Sequence, residues 1–169
     1  MAYPAVITDA GIAAATNAKQ NAITVDVTEI AIGTGDHGLS GPSGIETGLI
    51  NEIARFDIRD RVDTGPTQVT VAGYLSDGDL ETPVTEVGVF LADGTLFAIA
   101  ARTSPAPLLY KSTAVTDLMV SIALELNGLP IESINVSVAP GDLTMLVDEW
   151  GLEQSTLNMR MLAVILQNL

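Results

Sequence analysis

Glu86-Val87-Gly88-Val89-Phe90-Leu91-Ala92-Asp93-Gly94-Thr95-Leu96 is the stretch whose reading decides the fold. Val84, Thr85, Val87, Val89, Phe90 and Leu91 are β-formers. Asp93-Gly94 offers the positive φ angles of a tight hairpin turn, and Leu96 to Ala101 is an apolar return strand. The segment therefore reads as a buried or half-buried antiparallel pair. Glu86 is the one charge in an otherwise uncharged run, so it either faces water at an edge or has a dedicated partner.

Outward from the hairpin, the alternation continues. Arg55 to Asp63 places Phe56, Ile58 and Val62 on one face and Arg55, Asp57, Arg59, Arg61 and Asp63 on the other, a strand with one wet face. Gly65-Pro66 turns it, and Gln68 to Leu75 returns with Val69, Val71 and Gly73 in phase. Asp117 to Leu126 aligns Leu118, Val120, Ile122, Leu124 and Leu126. Asn127-Gly128 turns again, and Ile134, Val136 and Val138 pattern a last strand. Hairpin-linked antiparallel sheet is the economical reading. Upstream, Thr8 is an N-cap for a helix from Asp9 to about Gln20, with Ala10, Ala13, Ala14 and Ala18 as a small-residue face. Val25 to Ile32 reads as a strand with Val25, Val27 and one face of the Ile30/Ile32 pair inward. Gly33 to Gly44 is a glycine-dense loop, long enough to be functional or mobile, and Thr47 to Ala54 is a short helical turn or the lead into a strand. Arg102 to Lys111, with Pro105 and Pro107, reads as an extended connector.

At Pro140-Gly141 the character changes. Asp142 is an N-cap, Gly151 a break, and Leu152 to about Gln167 a second helical stretch. Leu157, Met161, Val164 and Ile165 form its apolar stripe, and with Leu146 and Trp150 they are the segment's candidate oligomerisation or docking residues. So apolar a helix is covered either by its own domain or by a symmetric bundle or neighbouring subunit. The expected fold class is α+β: an antiparallel β-sheet domain over 1–139 with an N-terminal helix, and a C-terminal helical appendage over 140–169.

Composition narrows the function. The 169 residues carry seven Lys and Arg against 21 Asp and Glu, a net charge of −14, which cannot neutralise phosphates along a nucleic acid. The acidity serves solubility or a basic docking partner. Cysteine is absent, so disulfides, thiol nucleophiles and thiolate metal sites are excluded. Met1-Ala2-Tyr3-Pro4 has no basic region, and Asp9 and Gly11 interrupt the apolar stretch behind it, which reads against a signal peptide. No apolar run approaches a bilayer span, so synthesis in a cytoplasm is expected. His37, the only histidine, sits beside Asp36 with no further ligands grouped near it, and reads as a loop side chain. Asp77, Asp79 and Glu81 lack a complete calcium loop. Gly33-Thr34-Gly35 lacks the Lys-Ser or Lys-Thr of a phosphate loop, and there is no nucleophile elbow. No catalytic residue, cofactor or metal is expected.

The order of four segments resembles one family: Ile7-Thr8-Asp9-Ala10-Gly11 opening the helix; Ile30-Ala31-Ile32-Gly33-Thr34-Gly35; Thr47-Gly48-Leu49-Ile50-Asn51-Glu52 leading into Arg55; and Glu86-Val87-Gly88-Val89-Phe90 with Asp93-Gly94. Together, over about residues 5 to 138, they look like the phage tail-collar fibre protein family, the N-terminal baseplate-attachment domain of tail fibres in contractile-tailed phages and related injection particles. The motif positions are Asp9, Gly11, Gly33, Gly35, Asn51, Glu52, Glu86, Gly88, Asp93 and Gly94. Thr85 stands where the family often has arginine. The resemblance implies a structural virion protein without enzymatic activity, a homotrimer that binds baseplate proteins and a tail fibre protein at the tail baseplate or fibre base. Only about thirty residues follow the matched region, so the fibre is expected to be a separate polypeptide docking here, or this chain a short adaptor. The competing reading is a carbohydrate-binding β domain that contacts the host surface directly, which needs exposed rings from Tyr3, Phe56, Tyr74, Phe90, Phe97, Tyr110 or Trp150.

Overall fold

Segment Tyr3–Ile7 determines the architecture by pairing at both ends of one sheet. The computed structural model describes residues 3–76, 80–113 and 117–139. In chain order the elements are β1 (Tyr3–Pro4), β2 (Val6–Ile7), α1 (Asp9–Gln20), β3 (Val25–Gly33), β4 (Glu52–Gly65) and β5 (Gln68–Ser76). Then come β6 (Thr82–Val84), β7 (Glu86–Leu91), β8 (Leu96–Ala101), β9 (Leu109–Lys111), β10 (Asp117–Glu125), a 3-10 turn at Ile131–Ser133, and β11 (Ile134–Val136). The sheet runs β1-β10-β5-β4-β3-β7-β8-β2, while β6 and β9 pair separately. β1 lies on β10 and β2 on β8, so five consecutive residues join the first strand of the sheet to the last, as in a barrel.

Most pairings are antiparallel, but two are not. β1 runs parallel to β10, and β11 runs parallel to the start of β3. The expectation of hairpin links throughout therefore fails at both chain ends of the domain, where a distant segment inserts instead of a neighbour. Val138 lies beyond β11 and is exposed.

The core inside the sheet is aliphatic: Val27, Ile30, Ile32, Ile58, Val71, Val87, Val89, Ile122 and Leu124 are buried together, with Phe97 as the one large fully buried ring among the described residues. A bulge explains a peculiarity of β3. The register against β7 shifts between Val27 and Glu29, so the inward phase passes from Val27 to Ile30 and Ile32. A second bulge corrects an expectation in β4. Its register against β5 shifts between Ile58 and Asp60, which places Val62 opposite Thr70 rather than opposite a core residue. Val62 is 50% exposed, not inward with Phe56 and Ile58.

Helix α1 has the expected limits and cap. The Thr8 hydroxyl accepts from the Gly11 N–H at 3.0 Å and donates to the Leu96 carbonyl, so one buried side chain both caps the helix and ties it to β8. Its inward face is Gly11, Ala15 and Ala18 with Ala14 half-buried; Ala13 is exposed, correcting the face read from alanine spacing. The rotation follows from Gly11, where a Cβ would stand 2.5 Å from the Phe97 carbonyl oxygen. Only glycine lets the helix approach β8 this closely. The helical appendage expected over 140–169, with Leu146, Trp150, Leu157, Met161, Val164 and Ile165, lies outside the described residues.

Candidate functional site

β7 is buried at every residue because both its faces are covered. Val87, Val89 and Leu91 point into the core; Glu86, Gly88 and Phe90 take the other face. There Ala31, Phe90, Leu96 and Ile99 form a second apolar cluster roofed by Leu49, and a side chain at Gly88 would collide with Leu96, Phe90 and Leu49. The roof is the loop between β3 and β4. It is pinched at its neck by the Thr34 N–H donating to the Asn51 carbonyl at 3.0 Å and the Asn51 amide donating to the Thr34 hydroxyl at 2.6 Å.

Glu86 is fully buried beneath this loop and accepts four hydrogen bonds. Oε1 takes the N–H groups of Gly35 at 2.8 Å and Asn51 at 2.9 Å; Oε2 takes the Ile50 N–H at 3.0 Å and His37 Nε2 at 2.8 Å. A carboxylate that already accepts three N–H groups in its ionised form has no proton to give, so His37 Nε2 is the donor in this contact and each oxygen takes two. Burial alone would raise the Glu86 carboxyl above the ordinary glutamate value. The bonds from Asn51, His37, Ile50 and Gly35 outweigh it and hold the group below that value. Desolvating a carboxylate costs several kcal/mol, and each hydrogen bond to a charged group returns about 1.5 to 3 kcal/mol, so the four donors together offset it.

The glycines of the motif follow from this cage. A Cβ at Gly33 would lie 2.5 Å from Glu86 Oε1 and 2.6 Å from the Asn51 carbonyl, and one at Gly35 would strike the same carboxylate oxygen and Ile50. A second carboxylate organises the loop crown. Glu46 accepts from the Ser43 N–H at 2.9 Å and the Gly44 N–H at 2.7 Å, and its Oε1 stands 4.0 Å from His37 Nδ1. Burial pushes the Glu46 carboxyl up, but the Ser43 and Gly44 donors and the Ser43 hydroxyl bring it below the usual range. Asp36, held down chiefly by the Gly38 N–H and by Arg102, pairs with Arg102 at 2.9 Å. Thr85 donates its hydroxyl to the Gly35 carbonyl at 2.7 Å and its N–H to the Gly33 carbonyl at 2.9 Å.

The motif residues thus separate by place. Gly33, Gly35, Asn51 and Glu86 meet in the cage. Glu52 binds Arg55, which also reaches Glu29 at 3.2 Å and stacks 3.8 Å over the Phe90 ring. The Asp9 N–H donates to the Gly44 carbonyl at 2.7 Å, tying the helix start to the loop. Asp93 and Gly94 lie at the far end of the hairpin. There Gly94 alone has a positive φ of 85°, whereas the sequence suggested it for both residues; Asp93 instead accepts from the Thr95 N–H at 2.9 Å. His37, read from sequence as an ordinary loop side chain, is the residue that reasoning missed. The available signal was the lone glutamate in an uncharged strand and the lone histidine in a glycine loop.

Chemically the cage is a strut. The His37 side chain is 5% exposed and the Glu86 side chain 0%, both are engaged, and Ser43 is bonded to Glu46. The depression beside the loop, lined by Val6, Pro42, Ala100 and Leu108 among others, carries no titratable side chain. Among the described residues no group of three or more His, Cys, Asp or Glu could hold a metal, and no helix is long and apolar enough to cross a membrane. Of the rings a glycan surface would need, Phe90 and Phe97 are buried and Tyr110 is exposed, its hydroxyl bonded to Glu81 at 3.0 Å.

No curated protein and no solved structure matches the chain. The family model described as phage tail-collar fibre protein, N-terminal, matches residues 1–140. The motif order, the cage built from it and this match over most of the chain lead to one conclusion: the chain belongs to the phage tail-collar fibre protein family, as a structural tail-fibre component of a phage virion.

Proposed function

We propose that the protein is a fibre base or fibre adaptor that attaches host-recognition fibres to the phage baseplate. The observation that carries this reading is the family match together with a site made for rigidity rather than reaction: a buried carboxylate with every acceptor position filled. Within the proposal, residues 1–139 are the baseplate-attachment domain. Residues 140–169 are the oligomerisation or docking segment, working through Leu146, Trp150, Leu157, Met161, Val164 and Ile165 as a homotrimer. Its partners are baseplate proteins and a tail fibre protein, and it is made in the bacterial host cytoplasm.

The test is particle morphology. Tails purified after disruption of the gene for this chain should keep their baseplates and lose their fibres under negative-stain electron microscopy. Tails that still carry fibres would overturn the attachment role. Light scattering of the intact chain examines the trimer separately, and a monomeric mass rejects it.

A further inference from the structure

We propose that Asn127-Gly128, the turn after β10, is a self-modifying site, at which the Asn127 carboxamide is lost without an enzyme and a carboxylate takes its place. It is the one Asn-Gly pair in the sequence. Two hydrogen bonds frame the turn: the Leu126 N–H donates to the Thr67 carbonyl at 2.7 Å, and the Leu129 N–H to the Leu126 carbonyl at 3.1 Å. Gly128 stands inside it at φ 80°, with nothing within 4 Å of where a Cβ would point, and both turn residues are exposed. Thr67, in the turn between β4 and β5, donates its hydroxyl to Asn127 Oδ1 at 2.6 Å. Among the described residues neither the Gly128 N–H nor Asn127 Nδ2 has a hydrogen-bond partner.

Nucleophile, electrophile and leaving group of the reaction are thus in place. The Gly128 nitrogen gives up its proton to water and attacks Asn127 Cγ. The N–Cγ bond forms, the Cγ–Nδ2 bond breaks, and ammonia leaves with the proton that Gly128 lost. Water then opens the resulting cyclic imide at either carbonyl, leaving aspartate or isoaspartate. Negative charge develops on Oδ1 during the attack, and the Thr67 hydroxyl is aimed at that oxygen. Glycine leaves its nitrogen unshielded. The hairpin turn Asp93-Gly94 shows the protected case: the Gly94 N–H is committed to the Leu91 carbonyl at 2.9 Å, and Asp93 offers a carboxylate that already accepts from Thr95. Asn135 is held too, its carboxamide donating to Asp26 at 2.6 Å. Conversion at Asn127 adds one negative charge to the chain. Its isoaspartate form also inserts a main-chain carbon between Leu126, 2% exposed in the core, and Leu129.

The experiment holds the purified full-length protein at neutral and at mildly alkaline pH and follows it by isoelectric focusing and peptide mass spectrometry. A band more acidic by one charge should grow with time, and faster at the higher pH, because the attacking nitrogen must lose its proton. Peptide masses should place the new carboxylate at position 127, part of it as isoaspartate. Asn127→Ser should abolish the band. Gly128→Ala should slow it by crowding the nitrogen. Since φ 80° strains alanine, Thr67→Val, which keeps the glycine, is the second variant and should slow conversion several-fold. In denaturant, wild type and Thr67→Val should convert at one rate, because the hydroxyl acts only in the folded turn. An intact amide at position 127 after the incubation, or conversion only at other asparagines, overturns the proposal. Conversion of folded Thr67→Val at or above the wild-type rate overturns the role given to the hydroxyl, since its bond would then hold the carboxamide away from Gly128.

Discussion

His37 Nε2 donates to Glu86 Oε2 at 2.8 Å beneath a loop that shields both side chains, 49 positions apart in the chain. One hydrogen bond thus joins the glycine loop to the base of the central hairpin, and the other three acceptor positions of Glu86 are taken by backbone of the same loop. Glu86 is the interior against which the loop folds, and its removal should be felt there first. Glu86→Ala leaves the N–H groups of Gly35, Ile50 and Asn51 and one imidazole without acceptors and should cost about 3 kcal/mol in denaturant unfolding. Hydrogen exchange should lose protection at Gly35, Ile50 and Asn51 before the strands. Equal loss across β5 and β10 would show that the cage is not local.

Acid should act on the same contacts. The carboxyls of Glu86, Glu46 and Asp36 are all held below their ordinary values in the folded protein. A depressed folded value means that the unfolded chain binds protons first, so these groups contribute stability above their unfolded values of about 4. That contribution disappears as pH falls through the lower folded values. Denaturant midpoints should be flat above about pH 5 and fall below about pH 4. Glu86→Gln should flatten that fall, and an unchanged acid slope in this variant would place the linkage elsewhere.

What the sequence discloses follows from the range of the forces involved. Thr8 and Asp9–Gln20 were legible because caps and first-turn charges act over one helical turn. The Leu118-to-Leu126 alternation was legible because β10 pairs with β5 without a register shift and buries alternate residues. Val62 was misassigned because a bulge changes phase without leaving a mark in the residues themselves. The closing segment Tyr3–Ile7 and the parallel β11 escape for another reason: each pairs with strands remote in sequence, and no local pattern encodes a partner's identity. The cage lies between these cases. Its members could be named, since a lone buried glutamate needs donors, but the loop that supplies them could not be placed.

The glycines of the loop can be ranked by space. Gly33→Ala drives a methyl into Glu86 Oε1 and the Asn51 carbonyl and should destabilise by about 1 to 3 kcal/mol. Gly48→Ala, in the same loop with nothing within 4 Å of the new methyl, should be neutral or slightly stabilising through the unfolded chain. Paired thermal melts of the two variants decide the matter, and equal shifts would show that the close approach at Gly33 relaxes at little cost.

Thr8 is where helix, sheet and loop meet, so its hydroxyl separates capping from burial. Thr8→Ser keeps the oxygen that accepts from Gly11 and donates to Leu96, and removes only a methyl. Thr8→Val keeps the shape and removes both hydrogen bonds. If the cap dominates, Thr8→Val should cost about 1 to 2 kcal/mol and Thr8→Ser less than half of that. The reverse order in urea unfolding would mean that the buried methyl, packed where β2 hands over to α1, matters more than the two bonds. The Gly11 amide reports which holds: its exchange should speed up in Thr8→Val and stay slow in Thr8→Ser, because only the valine leaves that N–H without its acceptor.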